Sequence, residues 1–440
     1  MASTRLTRSI TGSNSYKATF SAWLKLSGNA DKAIFTSIPD GSNNFRIHIT
    51  GTNQLQLKDY QSSSTVALLL TTQVFRDPGA FYHIVVSIDT SLGTADDRAK
   101  IYVNGTQVTS FASRTNYPVN NVPVINKTGT HEIGAVASGD YFDGLMSYMA
   151  VVDGTTYDAT SFGETNAATG IWKIKTSPSV TYGTNGFFLK MDTSSPGTDT
   201  SGNNNTFTAS GTPTLAQDNA SNNLVTMNPL DNYYPAGTFS NGNTTVTTSN
   251  SNYARNSSTI GMATGKWYSE YKVGSITGSG GIYIGITGDL ATGTGGNTGN
   301  SPFSYAYDSD GTKHFNGSSS SFGDSYTTGD IIGVALDATN SKIWWSKNGV
   351  WQASGDPSNG TSPAFTVIVP SLTTIGAYFW SFSDNNSGEY FTCDCNFGNG
   401  FFGTTAVTSS NADAAGHGLF EYAVPTGYFS LNTKNLNTYG

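Results

Sequence analysis

The sequence predicts an all-β protein made of two tandem antiparallel β-sandwiches followed by a short C-terminal extension. Three observations carry this. Only 12% of the 440 residues are charged, against about 25% in ordinary soluble proteins. Gly (50 residues), Ser, Thr and Asn take the vacant places, while aromatics reach 12%. Helix surfaces draw on Glu, Lys, Arg and Ala, whereas Thr, Tyr, Phe and Val suit a pleated surface. Apolar residues alternate along short segments punctuated by Gly, Asn, Asp and Ser, which is the period of strands with one buried face. One strand–turn–strand statement also occurs twice. His83-Ile-Val-Val-Ser-Ile-Asp89 leads through a turn to Lys100-Ile-Tyr-Val-Asn-Gly105, and Asp330-Ile-Ile-Gly-Val-Ala-Leu-Asp337 leads to Lys342-Ile-Trp-Trp-Ser-Lys-Asn-Gly349. Asn-Gly tolerates the left-handed backbone that tight antiparallel connections require.

The elements follow in order. Ala18-Thr-Phe-Ser-Ala-Trp-Leu-Lys-Leu26 sets Phe20, Ala22, Leu24 and Leu26 on one face and Trp23 on the other. Strands are expected at 33–37, 44–50, 54–58 and 66–71, then the first repeated hairpin, then 131–134 and 142–153. The first domain is drawn at 1–215. Residues 216–237, rich in Asn, Thr and Ser, read as a linker. A second sandwich spans 238–402, through Gly265-Lys-Trp-Tyr-Ser-Glu-Tyr-Lys-Val273, 281–286, 304–308, 311–317, 322–330, the second hairpin and Cys395-Asn-Phe-Gly398. In the extension, 403–440, a helical turn is expected at 412–422 and a last strand at 427–431.

Phe20-Ser-Ala-Trp-Leu-Lys25, Phe81-Tyr-His-Ile-Val-Val86, Ile101-Tyr-Val-Asn-Gly105 and Phe142-Asp-Gly-Leu145 resemble the laminin-G/concanavalin A-like lectin family, as found in structural proteins of tailed bacteriophages. That family's opening strand and Asp-x-Ser-Gly-Asn signature stand late here, as Gly186-Phe-Phe-Leu-Lys-Met-Asp192 and Asp199-Thr-Ser-Gly-Asn203. Residues 183–210 are therefore expected to supply the opening strand of a circularly rearranged domain. The ordered motifs of 238–402 resemble a SPRY domain, another branch of the same superfamily. The resemblance implies two concanavalin-like jelly rolls, and in tandem it implies a virion protein of a tailed phage, of the tail fibre or appendage type.

Composition narrows the function. With net charge −8 and a pI near 5.0 the chain lacks the basic footprint of a nucleic-acid binder. Residues 1–12 carry Arg5 and Arg8 without a following apolar stretch, so they do not read as a signal peptide, and no run has the length of a membrane span. Cys393 and Cys395 read as buried, reduced thiols. Related glucanases carry paired acids on one strand, but none of the five glutamates, Glu132, Glu164, Glu270, Glu389 and Glu421, has such a partner. His48, His83, His131, His314 and His417 are scattered, and Asp96-Asp97 and Asp308-x-Asp310 read as turn residues. The Gly-rich stretches at 278–281 and 293–297 lack the ending of a phosphate loop. No cofactor is expected; a structural calcium held by Asp140, Asp143, Asp192 and Asp199 is the weaker alternative.

Loop-edge aromatics are the remaining binding signal, because sugar faces stack on Trp and Tyr. Tyr305, Trp351 and Trp380 are the candidate glycan-binding residues, with core packing the competing reading for Trp380 and equally for Trp351; Trp344 and Trp345 are expected to fill the core. Catalytic residues are not expected. The expectation is a non-enzymatic virion structural protein, made in the host cytoplasm, that recognises host-surface glycans and contacts other virion proteins. It is expected to form a homo-oligomer, a trimer being favoured. The rival readings are a capsid-cementing scaffold without glycan binding, and a glycan-degrading enzyme.

Overall fold

A strand with one apolar face needs a second layer to bury it against, and the chain meets that need twice. The computed structural model describes residues 4–28, 31–137, 139–167, 169–231, 237–248, 255–277, 281–289, 296–384 and 390–440. They form two compact units, one of Met1–Leu215 with Asn219–Ser221 and one of Ala216–Asp218 with Asn222–Gly440.

In the first unit an eight-stranded sheet runs in the spatial order Phe111–Thr115, Ser64–Val74, Gln54–Gln61, Asn43–Ile49, Lys32–Asp40, Gly129–Ile133, Arg5–Ile10 and Thr208–Ser210. It faces a six-stranded sheet ordered Phe187–Leu189, Gly144–Asp153, Lys17–Leu26, Tyr82–Asp89, Ala99–Val103 and Thr106–Gln107. Phe20, Leu24, Ile47, Leu57, Leu69, Ile84, Val86, Ile101 and Val151 fill one core. Segment 183–210 joins both sheets: Phe188 pairs with Ala150, and Ala209 pairs with Leu6. The alternation in Lys17–Leu26 suggested one buried face, yet both are buried. The outer face lies under residues 155–182, where Phe162 and Trp172 pack with Val85, Ala150 and Val152.

In the second unit a nine-stranded sheet contains Thr238–Ser240, Thr245–Thr247, Tyr390–Asn396, Lys266–Thr277, Ile331–Asp337, Lys342–Lys347 and Val350–Trp351 in that order. Phe365–Thr366 and Phe429–Ser430 attach beside this path. The facing sheet is ordered Asn256–Ser257, Phe379–Asp384, Ile282–Thr287, Ser304–Asp308, Thr312–Phe315 and Ser318–Ser321. Ile332, Val334, Leu336, Ile343 and Trp345 enter the core, as their alternation predicts, beside the free thiols of Cys393 and Cys395. Burial raises the Cys393 thiol well above its ordinary range.

Three expectations change. Residues 216–237 are not simply a linker: Leu224, Val225 and Met227 are buried, and the Val225 amide donates to the Leu431 carbonyl. A short apolar run was hidden there by the polar average of its surroundings; residues 232–236 lie outside the described residues. Residues 412–422 form no helical turn, because the Asp413 carboxylate accepts the amides of Ala415, His417 and Ser430 and folds the chain into loops. The one α-helix among the described residues is Thr433–Tyr439, where the Asn432 side chain caps the Asn435 amide. Its Thr/Asn-rich sequence is a poor helix former, and the cap and the stacking of Tyr439 on Phe429 (3.7 Å between centroids) hold it. No described helix is long and apolar enough to cross a membrane.

Candidate functional site

Both repeated hairpins close identically. Asn104 and Asn348 each have φ 47°, and Gly105 and Gly349 have φ 83° and 80°. This left-handed pair matches the twist of the flanking strands. The Asn104 side-chain oxygen accepts the His83 amide at 2.8 Å, and that of Asn348 accepts the Ile331 amide at 2.8 Å.

A later aromatic then settles on each glycine. A Cβ on Gly105 would lie 2.6 Å from the Trp172 ring, and one on Gly349 would lie 2.5 Å from the Tyr422 ring. The glycines are needed for contact as well as for backbone conformation. In the first unit the covering ring is locked: Trp172 Nε1 donates to His83 Nδ1 at 3.0 Å, and His83 stacks on Trp23 at 4.6 Å. In the second unit Tyr422 is half-buried beside Val350, which is 67% exposed, and half-buried Trp351 packs edge-on to Tyr268 at 6.4 Å. Asp330 lies at the base of this hairpin, accepting from the Asn348 side chain at 2.7 Å and pairing with Lys347 at 3.3 Å. Burial pushes the Asp330 carboxyl up, but the Thr327 amide, Asn348 and Lys347 outweigh it, so the group stays below its usual range and anionic. Residues 347–351 with Tyr422 thus form a shelf of aromatic and apolar surface with a charged, hydrogen-bonding rim.

Residues 3–159 match the model of the concanavalin A-like lectin/glucanases superfamily, and residues 266–368 match that of the SPRY domain. The chain carries a concanavalin-like lectin domain followed by a SPRY domain. Among solved structures, the SPRY domain of human HERC1 aligns at 16% identity over 38% of this chain and 96% of its own, with a TM-score of 0.30. Stonustoxin aligns at 16% identity over 39% of this chain and 27% of its own (TM-score 0.29), and a human SPRY domain at 17% over 34% and 91% (TM-score 0.26). A search of curated proteins found no match.

Of the three aromatics expected to bind glycan, only Trp351 reaches the surface of the SPRY unit. Tyr305 is 1% exposed and Trp380 is fully buried. The register explains the correction: Ile286 pairs with Tyr305 on one side and Trp380 on the other, so all three point into the core. Tyr305 stacks on Phe315 at 4.7 Å, and its hydroxyl accepts the Ile368 amide. Trp344 and Trp345 are buried on opposite faces of their strand. Tyr422 escaped the sequence reading; the signal that could have found it was the repeated Asn-Gly, which asks for something to sit on the glycine.

The calcium candidates do not converge. Asp140 and Asp192 are exposed. Asp199 is filled by the amides of Phe188, Ser201 and Asn205 and the Ser201 hydroxyl. Beside Asp143 stands an ammonium, that of Lys32, which donates to the Gly28 carbonyl at 2.8 Å and which burial lowers to about 8. Among the described residues, Asp308, Asp310 and His314 alone bring three potential ligand atoms within 4.8 Å. Their own bonds account for that geometry: His314 Nε2 lies 3.3 Å from Asp308, and Thr312 links His314 to Asp310. The 278–280 part of one Gly-rich stretch and the 293–295 part of the other lie outside the described residues.

The lectin-like unit does place a serine on a histidine, with Ser21 Oγ 2.9 Å from His83 Nε2. Because Nδ1 already accepts the Trp172 N–H, the neutral ring carries its proton on Nε2 and donates to Ser21. A histidine that is to activate serine must accept that proton instead. Burial lowers His83 to about 3, keeping the ring neutral.

Proposed function

We propose that this chain is a non-enzymatic virion structural protein of a tailed phage, a fibre, spike or capsid-attached appendage, and that its SPRY unit recognises host-surface glycans at the shelf formed by residues 347–351 and Tyr422. The observation that carries the reading is Trp351: it is the one expected sugar-stacking aromatic left at the surface, and it stands on a rigid hairpin beside a second aromatic and a charged rim. Apolar sugar faces stack on such rings, while Asp330, Lys347 and Asn348 offer acceptors and donors to hydroxyl groups. The donating tautomer of His83 and the isolation of Glu270, fully buried, support a binding rather than a hydrolytic role. The virion assignment rests on the tandem of lectin-like and SPRY units and on reduced thiols, which suit assembly in a reducing cytoplasm. A homo-oligomer, with a trimer favoured, follows from the symmetry of such appendages.

A host-glycan array tests the reading with the intact chain and with Trp351→Ala. Glycan binding that the substitution removes supports it. No glycan signal, with the protein retained on purified particles, favours a capsid-cementing scaffold. Release of reducing sugar from host polysaccharide favours an enzyme.

A further inference from the structure

Among the described residues, Glu270 is the one glutamate in the middle of a central strand, and it is fully buried on the outer face of the SPRY sheet. Each carboxylate oxygen takes two donors. Oε1 accepts from the Tyr268 hydroxyl at 3.1 Å and the Tyr422 amide at 2.8 Å; Oε2 accepts from the Asn396 side chain at 3.1 Å and the Glu421 amide at 2.9 Å. Residues 421–424 form no β-bridge among the described residues; these two side-chain-to-backbone bonds to the central strand, the packing of Val424 and the seat of Tyr422 on Gly349 hold the stretch on the sheet. Phe420 and Tyr428, flanking it, pack on Tyr268, Ala335 and Trp344.

We propose that Glu270 is a latch: its carboxyl group seats segment 421–424 on the sheet, so that this segment, carrying Tyr422, lifts and reseats as a proton-dependent strap while Leu419 and Phe420 stay bridged.

The surroundings of Glu270 fit that role. Directly opposite it stand Gly333 on one neighbouring strand and Asn396 on the other, neither charged. Ile331, Ala335, Trp344 and Ser346 complete the face on that side. Among the described residues no cation pairs with Glu270. Lys272, two residues along, sits over the Phe402 ring at 5.8 Å, and its charge acts on Glu421. The Glu421 carboxylate is engaged by the Thr408 amide and hydroxyl. Tyr268 and Tyr422 are both held in the neutral form, chiefly by burial, with Glu270 adding for Tyr268 and Glu421, Glu270 and Asp330 adding for Tyr422.

Burial raises the Glu270 carboxyl to about 7, and the four donors offset only part of that cost. With the strap lifted, Glu270 meets water and titrates as an ordinary carboxylate. The seated state therefore holds a proton that the lifted state releases, and seating is strongest in mild acid and weakens as pH rises through neutrality. Tyr268 allows both forms to stay bonded, since its hydroxyl donates to the carboxylate and accepts from the protonated acid.

The inference bears on the proposed binding face because Tyr422 rides on the strap, yet its test is separate from glycan binding. Amide exchange on the intact chain between pH 5.5 and 8.5, corrected for the intrinsic rate, reads strap opening directly. The expected result is that Glu421 and Tyr422 lose about ten- to a hundred-fold protection across this range, as linkage requires, while Ile332 and Val334 keep theirs. In Glu270→Gln the carboxamide has one acceptor oxygen for two backbone amides, so both exchange faster at every pH and the trend vanishes. Protection in the unmodified chain that ignores pH, equal losses in the core strands, or a Gln variant that still follows pH would overturn the proposal. If the variant does not fold, the series on the unmodified chain decides alone.

Discussion

The lectin-like and SPRY units cover the same repeated hairpin by opposite electrostatics. Trp172 seals Gly105 through an uncharged stack with His83 and Trp23, whereas Tyr422 reaches Gly349 on a segment tied to the acid Glu270. One hairpin can thus carry either a permanent cover or one that responds to pH. The difference lies in what faces outward there: His83 of the hairpin itself, stacked on Trp23, in one unit, and Glu270 of the neighbouring strand in the other.

Removing each cover should widen that contrast. Trp172→Ala takes away a ring that fills the space over Gly105 and Gly163 and donates to buried His83, so it should cost the lectin-like unit about 3 kcal/mol. Tyr422→Ala, at a half-exposed site, should cost the SPRY unit about 1 kcal/mol or less. Separate calorimetric transitions for the two units would check both; equal losses would erase the distinction.

Acid and base should act with opposite sign. His83, lowered to about 3, and His131, lowered to about 4, both mainly by burial, are held neutral in the fold but charge near 6.5 when unfolded. Their contribution is intact above 6.5 and falls away as pH drops toward 3. Glu270 runs the other way: its contribution is full below 4.5 and is lost as pH rises through about 7. Thermal melts from pH 4 to 8 should show the His83- and His131-dependent part of the lectin-like unit's stability rising and the Glu270-dependent part of the SPRY unit's stability falling. Glu270→Gln should remove only the second trend.

The turn glycines give a finer comparison. Gly105→Ala and Gly349→Ala both force a side chain into left-handed backbone, about 1 kcal/mol each, and push on the covering ring. Gly105→Ala should cost more, because Trp172 is fixed by His83 and cannot yield as readily as Tyr422. Matched chemical denaturation of the two variants would settle the order.

What could be read from the chain follows from the range of the interactions. The strands and both hairpins were legible because alternation and Asn-Gly are local signals. The orientation of Tyr305 and Trp380 was not, since period two says that neighbours face opposite ways but not which way is inward; pairing with Ile286 decides that. Glu270 looks like an ordinary solvent-facing residue in Tyr268-Ser-Glu-Tyr271 until the amides of Glu421 and Tyr422 arrive from far along the chain. Thr433–Tyr439 was missed for the same reason, its stability coming from a cap and a stacked ring rather than from propensity.

Glycan recognition at Trp351 is the proposal on which the binding face stands. Binding of the intact chain and of Trp351→Ala to a host-glycan array, at matched thermal stability, tests it most directly. The intact chain should bind, and the variant should lose at least about ten-fold in affinity, the scale of one lost stacking contact. Undiminished binding by the variant, or an array on which the intact chain binds nothing, would contradict it.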